Sequence, residues 1–191
     1  MLLGLTNILL IVRRSLWNYP FGIAMVSIYF FVFLDAKLYS DMLLQIFFFC
    51  VQIYGWWHWV RGRDTGGSLI VERASRGLMT RWIIGLIMAT SLWGWLMHSQ
   101  TDAAYPWWDA AIAMTSIGAQ ILMSRRYLEN WLFWVIVNLL SIPLYAAKDL
   151  WLTAGLYGLN LCICLWGWRE WVIVEQQQRA APKTDMASHP A

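Results

Sequence analysis

Long apolar runs recur from one end of this chain to the other. They cover residues 1–12, 19–34, 38–60, 82–97, 107–124, 130–147 and 150–174, with short polar breaks between most of them. Most approach or exceed the ~17–20 residues that a helix needs to cross a bilayer. Composition agrees: 60% of residues are hydrophobic, 13% are charged and the mean hydropathy is +0.50, well above the apolar share of a soluble domain. In lipid every backbone polar group has to be satisfied within its own segment or a closed barrel. Runs of this length therefore predict an all-α integral membrane protein with seven transmembrane helices. The run at 1–12 is short for a span, and the recurrence of apolar segments argues against a cleaved leader.

The breaks give orientation. If the first run spans, twelve of the fourteen Lys and Arg residues fall on one side and only Lys37 and Lys148 on the other. Cation-rich loops stay cytoplasmic, so the N-terminus is expected outside and the C-terminus inside. Residues 61–81, with Arg61, Arg63, Arg73, Arg76 and Arg81 around Gly66-Gly67, read as a cytoplasmic loop. Residues 82–106 read as a fourth helix with an outer connection containing Asp102, and 175–191 as a disordered cytoplasmic tail. Trp56-Trp57, Trp107-Trp108 and the 166–171 cluster sit at run ends, as interfacial aromatics do.

An internal repeat organises the chain. Aligning Gly55 with Gly167 sets an offset of 112 residues that brings Arg13-Arg14 onto Arg125-Arg126, Asn18 onto Asn130, Leu38 onto Leu150 and Trp59 onto Trp171. Residues 1–60 and 107–174 are then two three-helix repeats. Three is odd, so the helix between them keeps the two copies parallel. The expected architecture is 3+1+3, with a pseudo-axis along the membrane normal, one of the known transporter plans.

Polar residues at depth supply the candidate chemistry. On the sixth run Trp131, Trp134, Asn138, Ser141 and Tyr145 are spaced three or four apart and share a helical face. Asn138 lies about 12 Å from the inner helix end and Asn160 about 15 Å from the outer end of the seventh helix, at 1.5 Å per residue. Both fall near the bilayer midplane, where a polar group is costly unless it faces the bundle interior or a ligand. An interhelical hydrogen bond would explain Asn138 alone, but two Trp on its face favour a ligand site of stacking planes and carboxamides. Gln45, Gln52 and Trp56 share a face of the third helix, and Thr153, Tyr157 and Asn160 a face of the seventh. Ser116 and Gln120 lie one turn apart on the fifth. In the first repeat Gly22 stands where Trp134 does, and Val26 where Asn138 does.

Other chemistry is unsupported. Asp35, Asp41, Asp109 and Asp149 lie near outer helix ends, so no mid-span carboxylate marks proton or sodium coupling. No phosphate-cradling G-x-x-x-x-G-K-[ST] loop occurs. Cys50, Cys162 and Cys164 lack metal or disulfide spacing, and His58 and His98 are isolated at helix ends. No cofactor, metal or nucleic-acid partner is expected. A membrane enzyme would need an acid, base or metal cluster at depth.

Several motifs together resemble the PnuC family of bacterial nicotinamide riboside transporters, over about residues 5–172. They are Leu44-Gln45 before Phe47-Phe48-Phe49, Tyr54-Gly55-Trp56 with Trp59, Trp108-Asp109, Arg125 with Glu129-Asn130-Trp131, the run Trp131, Trp134, Asn138, and Gly167-Trp168. The resemblance implies a SWEET-like 3+1+3 fold with each triple in a different helix order. It also implies a homotrimer in the bacterial inner membrane and facilitated diffusion of a vitamin trapped by a cytosolic kinase. Trp131, Trp134 and Asn138 are then the foremost substrate contacts, with Gln45, Tyr157, Asn160, Gln52 and Ser141 behind them. Family branches that resemble thiamine and riboflavin carriers keep those cargoes open, and a non-transporting membrane assembly subunit is the reading from another class.

Overall fold

The computed structural model describes residues 2–35, 39–63, 69–101 and 105–180. Among the described residues there are seven helices: α1 Leu2–Val12, α2 Asn18–Asp35, α3 Tyr39–Arg61, α4 Arg76–Gln100, α5 Pro106–Ser124, α6 Asn130–Ala147 and α7 Trp151–Ala180. The turn with Lys37, the Gly66-Gly67 pair, the connection at Asp102 and the tail beyond Ala180 lie outside the described residues. Of the described helices, α6 is long and apolar enough to cross a membrane by length and composition, and α2 contributes a shorter apolar stretch. The outer surface is apolar: on α4, Ile83, Ile84, Ile87, Met88, Leu92 and Trp95 are exposed, as in a helix facing lipid rather than water.

Each triple packs in chain order, α2 between α1 and α3 and α6 between α5 and α7, and the triples join through two equivalent contacts, α3 on α5 and α7 on α1. α4 lies against α5. The 112-residue offset is written into the geometry at atomic detail. Arg14 and Arg126, equivalent positions, both take positive φ, 53° and 65°. Asn18 Nδ2 donates to Ser15 O and Asn130 Nδ2 to Tyr127 O, each at 2.6 Å. Those two side chains close the same tight turn before α2 and α6.

The two triples also lock to each other reciprocally. Trp59 Nε1 donates to Met123 O at 3.0 Å, and Trp171 Nε1 donates to Ile11 O at 3.2 Å. Around this pair, Tyr19 meets Trp59 edge-on at 5.2 Å and Trp131 meets Trp171 edge-on at 5.7 Å, while Trp59 and Trp171 lie 5.9 Å apart. Each of the four rings is almost wholly buried. A Cβ on Gly55 would strike Tyr19 and Ser124, and one on Gly167 would strike the six-membered ring of Trp131. These glycines are present because rings lie directly against their backbones.

Two boundaries differ from the sequence expectation. α4 begins at Arg76 rather than 82, where Ser75 Oγ accepts from Leu78 N at 3.2 Å and caps the helix. Charged residues at a membrane helix end read as loop by composition although they continue the helix. α7 runs to Ala180, so residues 175–180 are helical and not part of a disordered tail. Glu175 there is buried and pairs with Arg73 and Arg179, and Gln178 hydrogen-bonds Leu69 O and Val71 N, each at 3.0 Å. These contacts hold the segment 69–75 across one end of the bundle. Arg126 anchors it too, donating to Gly62 O at 2.8 Å and pairing with Glu72, while Leu69 and Val71 bury against the aromatic layer. At the opposite end Lys148 and Asp109 pair at 3.3 Å.

Candidate ligand-binding cavity

Between the two triples lies a cavity of about 310 Å³, at the small end of the range for single small-molecule ligands. The first triple contributes Asn7, Val26, Gln45, Phe48 and Gln52 among others, and the second contributes Gln120, Trp131, Trp134, Asn138, Tyr157, Asn160 and Cys164. None of the described lining residues is Asp, Glu, Lys, Arg or His. The polarity comes from carboxamides and one phenol, and much of the remaining wall is apolar or aromatic.

Equivalent positions of the two triples line the cavity together: Val26 and Asn138, Gln45 and Tyr157, Phe48 and Asn160, Gln52 and Cys164. At most pairs a polar residue on one triple answers an apolar one on the other. The scaffold is symmetric while the lining is not, which is what holding an unsymmetrical molecule requires.

Seven of the eight residues picked from the sequence come together here: Gln45, Gln52, Trp131, Trp134, Asn138, Tyr157 and Asn160. Ser141 does not. It is fully buried one turn past Asn138, where the seam between α6 and α7 is closed by Tyr145 stacked on Tyr157 at 5.2 Å. Helical periodicity finds a face but not where along that face a cavity ends. Asn138 donates Nδ2 to Trp134 O at 2.7 Å and reaches Cys164 Sγ at 3.5 Å, so the donor is partly committed to orienting the side chain.

Trp131 and Trp134 differ in kind. Trp131 is 1% exposed and occupies the position of Tyr19, doing the same packing against its glycine and Trp171; only part of it reaches the cavity. Trp134 is half-buried and has no large counterpart, since Gly22 is its equivalent. Ser116 donates to its own helix at Ile112 O, 2.8 Å, whereas Gln120 lines the cavity. Asn7 was not singled out from the sequence. It is buried, it lines the cavity and its Oδ1 is without a hydrogen-bond partner among the described residues, as are Gln52 Oε1 and Asn160 Oδ1. The signal was available as a polar residue inside the first apolar run.

Comparison with known proteins agrees with this geometry. Residues 1–173 match the family described as nicotinamide mononucleotide transporter. The nicotinamide riboside transporter PnuC of Escherichia coli (strain K12) is 33% identical, with 88% of this chain and 81% of that protein covered. The riboflavin/roseoflavin transporter RibM of Streptomyces davaonensis is 29% identical, with 89% and 81% covered. The crystal structure of the vitamin B3 transporter PnuC superposes with a TM-score of 0.71 at 26% identity, over 92% of this chain and 79% of that one. With the family model matched over residues 1–173 and the seven-helix fold shared with the solved transporter, the chain is a multi-pass membrane protein that belongs to the PnuC family of transporters.

Proposed function

We propose that this protein carries nicotinamide riboside into the cell by facilitated diffusion, without coupling to an ion gradient. The observation that supports the reading most is a cavity between the triples with indole and carboxamide walls and no charged lining residue. The riboside's pyridinium ring is planar and cationic, and indole faces attract such a ring. Its carboxamide and ribose hydroxyls suit Asn and Gln, which both donate and accept. The phosphorylated form of the same compound would bring a phosphate dianion into a site whose described lining has no Lys or Arg to answer it, a costly burial. In this reading the ring stacks on Trp134, with Trp131 behind it, and Asn138 and Gln45 bond the carboxamide or ribose. Gln52, Tyr157 and Asn160 complete the wall.

Rocking of one triple against the other would expose the cavity to each side in turn. The cation distribution supports a cytoplasmic C-terminus, outer N-terminus and placement of the segment 69–75 at the inner face. Homotrimeric assembly and trapping of the imported riboside by a cytosolic kinase belong to the same proposal and rest on the family resemblance. A same-fold carrier of another vitamin, thiamine or riboflavin, is the second reading, and the similarity to RibM favours riboflavin between these two. A non-transporting assembly subunit is the remaining alternative.

The test is counterflow in proteoliposomes with radiolabelled nicotinamide riboside, run beside riboflavin, thiamine and nicotinamide mononucleotide. Exchange of the riboside that is lost in Trp134→Ala and Asn138→Ala supports the reading. Counterflow that survives both substitutions unchanged removes the site, exchange of another vitamin alone replaces the cargo, and binding without exchange favours the subunit.

A further inference from the structure

Position 22 presents a puzzle that the established scaffold does not answer. Gly22 lies within α2, with φ outside the left-handed region, so the backbone does not call for glycine. Glycine in a helix interior is less favourable than alanine by about 1 kcal/mol. Space explains it. A Cβ on Gly22 would stand 2.9 Å from Gln52 Cδ and 3.1 Å from Asn7 Nδ2, with Gln52 Nε2 nearer still. Both side chains are buried against the bare α2 backbone and both line the cavity.

The repeat shows that this is half of an exchange. In the second triple the equivalents of Gly22 and Gln52 are Trp134 and Cys164. There the large residue is on the middle helix and the small one on the third helix. In the first triple the small residue is on the middle helix and the long one on the third. Part of the asymmetry of the cavity is therefore a volume swap between α2/α3 and α6/α7.

We propose that Gly22 is a positioning residue for substrate selection: by lacking a side chain it lets Gln52 and Asn7 lie back as a polar wall facing the Trp134 indole. This rests on the cavity being the riboside site. Any side chain at position 22 drives the Gln52 amide away from α2, and the cavity is the space it has to move into. The obstacle is the far end of a flexible side chain, so the fold survives the substitution and the binding site does not.

Isothermal titration of nicotinamide riboside into the full chain in detergent tests this, with thermal unfolding as the control. Gly22→Ala should weaken binding about tenfold or more, a loss of ~1.4 kcal/mol, with the unfolding midpoint close to wild type. Adding Gln52→Asn, which keeps the amide and removes one methylene, should recover most of that loss. Gly22→Ala with unchanged affinity overturns the proposal, as does a loss that Gln52→Asn does not relieve. Trp134→Ala and Asn138→Ala run beside them separate the two levels. If these also bind like wild type, the cavity reading fails and takes the Gly22 role with it; if they weaken while Gly22→Ala does not, only the Gly22 role is lost.

Discussion

The two tryptophans three residues apart on α6 show how one sequence signal carries two physical roles. Trp131 has an aromatic counterpart in Tyr19 and lies against Gly167 and Trp171, whereas Trp134 has Gly22 as counterpart. Trp131→Ala empties a buried site and should cost on the order of 3–5 kcal/mol of stability, read as a large fall in the unfolding temperature of the detergent-solubilised protein. Trp134→Ala should cost far less stability and abolish riboside binding. If the two substitutions produce the same balance of stability and affinity losses, the division of roles is wrong. Spacing alone put both on the site because it reports a shared face and not a neighbour's bare backbone. Asn7 stayed hidden for a related reason, since a single polar residue in a short apolar run has no periodic partner, and the packing of α1 on α2, which sets Asn7 against the backbone of Gly22, brings it to the cavity wall.

At the scale of elements, the repeat was legible because matched residues at helix ends, Arg-Arg, Asn and Gly-Trp, all do structural work. The structure assigns that work: a positive-φ turn closed by Asn18 or Asn130, and a ring seated on Gly55 or Gly167. What composition could not reveal was how the polar segment between α3 and α4 is held, because its anchors come from distant parts of the chain. Gln178 and Glu175 on α7 and Arg126 after α5 bind it. The reciprocal indole bonds give a sharp test of equivalence. Trp59→Phe and Trp171→Phe each keep a six-membered aromatic ring but lose the pyrrole half of the indole and with it one hydrogen bond to a backbone carbonyl of the other triple, the bond alone worth ~1 kcal/mol. Thermal unfolding should register losses of matching size. Strongly unequal losses would mean that the two junctions between the triples are not energetically equivalent.

For the whole molecule, the placement of charge separates the driving force from the binding site. Charged pairs lie at the two ends, Arg126 with Glu72 and the Glu175 cluster at one and Lys148 with Asp109 at the other, while none of the described residues lining the cavity is charged. The described lining includes no His or carboxylate, so no side chain there changes protonation between about pH 6 and 8. Riboside counterflow in proteoliposomes should therefore be flat across that range, and an imposed pH gradient should not concentrate the substrate. A cationic cargo nevertheless moves charge. With one positive charge per cycle and none returning, a membrane potential of 100 mV, negative inside, contributes ~2.3 kcal/mol, enough to support roughly a fifty-fold accumulation. A potassium diffusion potential set with valinomycin should thus drive uphill uptake where a pH gradient does not. Accumulation driven by the pH gradient instead would require a proton-carrying group in the translocation path, and the uncoupled mechanism would have to be given up.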